Sequence, residues 1–141
     1  MILVDTPIWS LALRRRAANL SAVESSHVRE WERLVREGRV GLLGPVRQEL
    51  LSGVRGEQAW ERLRGALGAF PDVPIGTIDY ETAAGFFNRC RSKGVTGSAI
   101  DLLVCGVSHR LHAPIYTTDS DFARYARVLG VSLHRPRTGS D

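Results

Sequence analysis

The sequence predicts an α/β fold, a three-layer sandwich with a central, mostly parallel sheet flanked by helices. Three observations predict it. Short apolar runs alternate with amphipathic segments along the whole 141-residue chain, the pattern of strand–helix units that build parallel sheets. Ile2-Leu3-Val4 and Val40-Gly41-Leu42-Leu43 are continuous apolar runs, as expected of strands covered on both faces. Acids stand where such runs end, at Asp5 and at Asp119, and open parallel sheets bind ligands at the carboxyl ends of their strands.

In chain order, the strand Ile2–Val4 ends in Asp5-Thr6, and Pro7 suits the first position of a helix that Ile8, Trp9, Leu11, Ala12 and Leu13 continue. Arg14-Arg15-Arg16 closes it, and residues 17–26 read as a loop or weak helix. Val28, Trp31, Leu34 and Val35 give an amphipathic helix over 27–36, stopped at Gly38. After the second strand, Gly44-Pro45 turns the chain into a helix that carries Glu49. Trp60, Leu63 and Leu67 stripe a helix over 57–69, and Phe70-Pro71 breaks it. The stretch 73–78, interrupted by Pro74 and Gly76, is a short or edge strand at most. Asp79 then caps a helix over 80–93 whose inner face holds Ala83, Phe86, Phe87 and Cys90.

The most informative stretch runs from Ser98 to Phe122. Ser98 caps a helix with Ile100, Leu103, Val104, Val107 and Leu111 at helical spacing and Asp101 in its first turn. Pro114 ends that helix. Ile115-Tyr116-Thr117 reads as a strand, Asp119 and Asp121 follow, and Phe122 opens a last helix stopped by Gly130. Val131-Ser132-Leu133 is a final short strand. The expected organisation is one domain over 1–133 and a mobile tail over 134–141.

The balance is basic, with 19 Lys and Arg against 15 Asp and Glu. All but one of the cations are arginine, whose planar fork suits phosphate. No apolar run has the length of a membrane span, and the start of the chain lacks the pattern of a secretory signal. Cys90 and Cys105 lack metal-type spacing and read as reduced structural thiols, which places the expected location in the cytoplasm.

A carboxylate beside an apolar helix face costs free energy unless something pairs with it. If Asp5, Glu49, Asp101, Asp119 and Asp121 converge, they need a counter-charge. A divalent cation supplies one, and oxygen donors suit Mg²⁺ or Mn²⁺. No Cys/His cluster points to zinc. Such an ion on a basic domain suggests phosphodiester hydrolysis, with acids positioning or deprotonating a water.

The opening MILVDTPIW, the helix VRQELLSGV, and the segment SAIDLLVCGVSHRLHAPIYTTDSDF together resemble a PIN-domain ribonuclease, most closely a VapC-type toxin of a toxin–antitoxin pair. The resemblance spans nearly the whole chain. It implies a central parallel sheet flanked by helices and Mg²⁺- or Mn²⁺-dependent cleavage of RNA. It makes Asp5, Glu49, Asp101 and Asp119 the metal-binding and catalytic acids, with Asp121 a fifth acid at the metal, reaching it through water. Thr6 and Thr117 become polar supports. A homodimer and a small antitoxin are the implied partners. Pro7 departs from the family's pattern, where a small polar residue often follows the Asp-Thr. Arg14, Arg15 and Arg16 are candidate RNA contacts, as are Arg135 and Arg137 of the tail. Two other readings stand beside this one: a non-catalytic RNA- or protein-interaction module, and a Mg²⁺-dependent phosphatase or phosphoacceptor domain using Asp5.

Overall fold

β1 (Ile2–Val4) takes the middle of a three-stranded parallel sheet, between β2 (Val40–Gly41) and β3 (Ile115–Tyr116). Ile2 pairs with Val40 and Leu3 with Gly41 on one side, and Leu3 pairs with Ile115 and Val4 with Tyr116 on the other. All three residues of β1 are buried, which explains the unbroken apolar run. Single parallel bridges extend the sheet at both edges, Leu42 to Asp72 and Ile115 to Leu133. The structure is a computed structural model and describes residues 1–138.

Among the described residues, seven α-helices flank the sheet: α1 (Thr6–Leu13), α2 (Ala22–Arg36), α3 (Gly44–Leu51), α4 (Glu57–Leu67), α5 (Thr77–Ser92), α6 (Ala99–Leu111) and α7 (Asp121–Leu129). The expected α/β sandwich is the observed fold. α1 packs against α2 and α3, and α5 against α6 and α7. Trp9 is fully buried between the first group's elements. Its indole N–H donates to the Val4 carbonyl at 3.0 Å, and its ring meets Trp31 and Phe70 edge-on at 5.5 and 4.9 Å. Edge-to-face pairs of this kind add to the area burial that drives the packing.

The α5–α6 pair comes close because Gly106 has no side chain. A Cβ there would stand 3.0 Å from the Asp79 carbonyl oxygen. Arg110 then clamps the two helices, donating to both carboxylate oxygens of the buried Asp79 at 2.6 and 3.0 Å and to the Pro74 carbonyl at 2.8 Å.

Several boundaries differ from the expectation. α2 starts at Ala22 rather than near His27, because Ser21 and Glu24 form a reciprocal capping box. α5 starts at Thr77, so Asp79 lies inside its first turn, where it accepts the Gly76 N–H at 3.0 Å. α6 ends at His112 in the left-handed conformation, ahead of Pro114. The stretch read as a strand at 73–78 contributes one hydrogen bond, from the Val73 N–H to the Leu42 carbonyl beside the Asp72 bridge, and its last two residues open α5; that at 131–133 contributes only the Leu133 bridge.

The tail expected to be mobile from His134 is tied down as far as Arg137. Glu30, on α2, is buried and accepts from His134 Nε2 at 2.6 Å and Arg137 Nε at 3.0 Å, with Arg33 at 3.2 Å. Arg137 also reaches Glu37 at 2.9 Å. Burial pushes the Glu30 carboxyl up, and the bonds from Arg137 and His134 outweigh it, leaving its pKa below the ordinary value. A buried carboxylate needs such partners, and the chain past Leu133 supplies them. Residues 139–141 of the expected tail lie outside the described residues.

Candidate metal centre

The chain passes from β1 to β2 on one side of the sheet and returns to β3 on the other. The strand order therefore reverses at β1, and a crevice opens at the carboxyl ends of β1 and β3. Asp5 is the residue after β1. Its extended backbone is stapled to the neighbouring strand by its N–H, which donates to the Tyr116 carbonyl at 2.9 Å. Strand pairing thus fixes Asp5 beside the chain that leaves β3.

That chain builds a relay of hydrogen bonds. The Thr117 hydroxyl donates to Asp5 Oδ2 at 2.8 Å and accepts the Asp119 N–H at 3.0 Å. Asp119 Oδ1 accepts the Asp121 N–H at 2.9 Å. Asp121 starts α7 and pairs with Arg124 on its outer side. From the other direction, α6 brings in Asp101, whose N–H is capped by the Ser98 hydroxyl at 3.0 Å. Asp101 Oδ2 accepts the Tyr125 hydroxyl of α7 at 2.9 Å. Gly97 permits this approach: a Cβ there would stand 2.1 Å from Leu102 and 3.1 Å from the Tyr125 ring.

Asp101, Asp119 and Asp121 each bring one carboxylate oxygen into a group whose members lie within 4.8 Å of one another. Asp5 lies deeper. Burial raises its pKa from the usual 3.8 to about 6; the bonds from Thr117 and the Thr6 backbone oppose that, and the charges of Asp101 and Glu49 add to it. Asp101 is raised in the same way, by burial first, against the bonds from Tyr125 and Ser98 and with the Asp119 charge. Burial and its bond to Asp101 also push the Tyr125 hydroxyl up, so Tyr125 stays a neutral donor. Among the described residues, Arg124 on Asp121 is the cation paired with these four carboxylates. Cys105, beneath them, is buried and free, and burial pushes its thiol up, so it stays uncharged. The donor set is all oxygen, and it fits Mg²⁺ or Mn²⁺ rather than zinc.

The structure thus brings together Asp5, Asp101, Asp119, Asp121 and Thr117. Glu49 sits exposed on α3 at the rim, close enough for its charge to act on Asp5. The Thr6 hydroxyl is buried beside Asp5 and has no hydrogen-bond partner among the described residues. None of the three arginines after α1 touches the acids. Arg15 pairs with Glu24 at 3.6 Å, Arg16 precedes the 3₁₀ turn Ala17–Asn19, and Arg14 lines a different cleft. Arg137 is engaged by Glu30 and Glu37. Tyr125 is the participant that sequence reasoning passed over. Phe122, Tyr125 and Leu129 are the buried residues of α7; the signal was the tyrosine hydroxyl among them, which needs a partner once buried.

The fold and the acid cluster define a parallel α/β domain with an acidic centre at its switch point. A family model of the PIN domain matches residues 2–128, and the chain belongs to that family, whose members are in general nucleases. Two solved structures share the fold. The crystal structure of FitAcB from Neisseria gonorrhoeae superposes with a TM-score of 0.76 at 18% identity, covering 96% of this chain and 98% of that one. The structure of FitAB bound to an IR36 DNA fragment gives 0.74 at 20% identity, covering 96% and 95%. A search of curated proteins by sequence found no match. Among the described residues, no helix is long and apolar enough to cross a membrane.

Proposed function

We propose that this protein is a Mg²⁺- or Mn²⁺-dependent endoribonuclease, the VapC-type toxin of a toxin–antitoxin pair acting in the cytoplasm. The observation that carries the reading is the convergence of Asp101, Asp119 and Asp121 with Asp5, whose carboxyl is pushed up by burial and, to a smaller extent, by the charges of Asp101 and Glu49. In this reading Asp5, Asp101 and Asp119 hold the ion, and Asp121 reaches it through water. When bound, the ion acidifies a water and offsets charge developing on the phosphate.

The chain's own groups do the rest. Thr117 holds Asp5 in place through its bond to Oδ2. Tyr125 orients Asp101 as a neutral donor, the supporting role that outer groups play at metal sites. Glu49, exposed at the rim, positions the attacking water. A cleft of about 580 Å³ opens beside Thr117, lined by Pro7, Leu11, His27 and Thr118, and gives the RNA strand room next to the acids. The antitoxin partner is supported by the likeness to FitAB. The homodimer is supported by the exposed apolar side chains Ile78, Tyr80 and Ile100 on α5 and α6, beside an apolar cavity of about 430 Å³.

The test is cleavage of total cellular RNA with Mg²⁺, with Mn²⁺ and with EDTA, beside Asp5→Asn. Discrete fragments that require both metal and Asp5 support the reading. A folded protein that binds no metal and cuts no RNA returns it to an interaction module, and hydrolysis of aryl phosphates instead of RNA to a phosphatase.

A further inference from the structure

A second cleft, of about 450 Å³, lies where α1 ends against α4 and the loop before it. Three arginines line it: Arg14 after α1, Arg55 in the α3–α4 loop and Arg62 on α4. All three are exposed, and their side chains have no hydrogen-bond or ion-pair partner among the described residues. No acid lines the cleft, and its floor includes Leu13, Val54 and Leu63. We propose that this cleft is a phosphate-binding subsite for the backbone of the RNA strand, a few nucleotides from the cleavage centre. The proposal rests on the ribonuclease reading above and adds Arg55 and Arg62 to the machinery.

Three like charges around one hollow repel each other unless an anion joins them. Guanidinium groups match phosphate oxygens in a fork, and sugar and base can lie on an apolar floor. Position then favours RNA over an acidic peptide. α1 leaves the acidic centre at Asp5 and reaches Arg14 nine residues later, about 13 Å along the helix axis at 1.5 Å per residue. Glu49, at the rim of the centre, precedes Val54 by only five residues. Two elements that carry acids of the centre therefore lead directly into the cleft. A strand held at the acids and following α1 meets the arginines within a few phosphates.

Binding is separable from cleavage, so the experiment uses the Asp5→Asn protein in EDTA. Anisotropy of a labelled single-stranded RNA is measured over a range of salt, for Asp5→Asn alone and with Arg14→Gln, Arg55→Gln and Arg62→Gln added. Loss of three phosphate contacts should make the slope of log K against log salt shallower by about 2, at roughly 0.7 per phosphate for a single strand. Affinity at low salt should fall more than about tenfold. Circular dichroism verifies folding; should the triple variant unfold, Arg14→Gln with Arg62→Gln should remove about 1.4 of slope. An unchanged slope overturns the subsite. So does unchanged RNA binding with lost binding of a Glu-rich peptide, which would give the cleft to a protein partner. Cleavage of the same RNA by the wild type with Mn²⁺ is followed in parallel. Cleavage with an unchanged slope sinks the cleft alone, whereas neither cleavage nor binding by the parent protein sinks both readings.

Discussion

Replacing Asp5 by asparagine should stabilise the metal-free protein at neutral and alkaline pH while abolishing its activity. In the folded protein the Asp5 carboxyl titrates at about 6, above the usual 3.8. The folded state therefore holds this proton more tightly than the unfolded chain does. The resulting stabilisation is fully present below about pH 3.8 and is lost as the pH rises through 6. A rise of about 2 pKa units at about 1.4 kcal/mol each makes ionised Asp5 a liability of roughly 3 kcal/mol. Asparagine keeps an oxygen for the Thr117 hydroxyl and carries no charge, and its amide hydrogens face the neighbouring carboxylates. Thermal unfolding in EDTA should place Asp5→Asn about 6–12 °C above the wild type at pH 8, at 2–4 °C per kcal/mol for a chain of this size. At pH 3.5 the two should coincide. Saturating Mn²⁺ should raise only the wild type, by about 2.7 kcal/mol at a hundred times its dissociation constant. Equal stability of the two proteins in EDTA at pH 8, or the same gain at both pH values, refutes the argument that Asp5 is buried as an uncompensated charge.

Tyr125→Phe keeps the ring in the core and removes the donor to Asp101 Oδ2. The Asp101 pKa should rise further, and Mn²⁺ affinity by calorimetry should fall about 10–100-fold, more at pH 6 than at pH 8. Arg110→Ala strands the buried Asp79 with only the Gly76 N–H, and urea unfolding at pH 7 should show a loss of about 3 kcal/mol, at the low end for a buried pair because Arg110 is itself partly exposed. The Arg110 bond holds the Asp79 pKa below its usual 3.8, so the contribution is present above that value and is lost as the pH falls through the folded-state pKa. Arg137→Ala leaves Glu30 with His134 and Arg33 and should lower the urea midpoint in the same assay; an unaltered midpoint would mean that Arg137 does not help anchor the chain to α2.

Much of this protein is written in short-range features of its sequence. The apolar run before Asp5, the Pro7 and Pro45 helix starts, the Ser98 cap and the spacing of Asp119 and Asp121 after β3 are each set within a few residues, and so were readable. The capping box at Ser21 and Glu24 was equally local and marks the true start of α2; the loop-like composition of 17–26 hid it. What only the tertiary structure decided is who meets whom. Thr117 and Asp5 are 112 positions apart, Glu30 and Arg137 107, and Tyr125 and Asp101 24. A helical or strand period places a side chain on a face but says nothing of which distant face it meets. That choice was made by the strand order β2-β1-β3, which lays the ends of β1 and β3 side by side, and by the packing of α7 against α5, which accompanies the meeting of Tyr125 and Asp101. The arginine cleft is of the same kind: Arg14, Arg55 and Arg62 carry no shared pattern in sequence, and only the fold gathers their charges around one hollow.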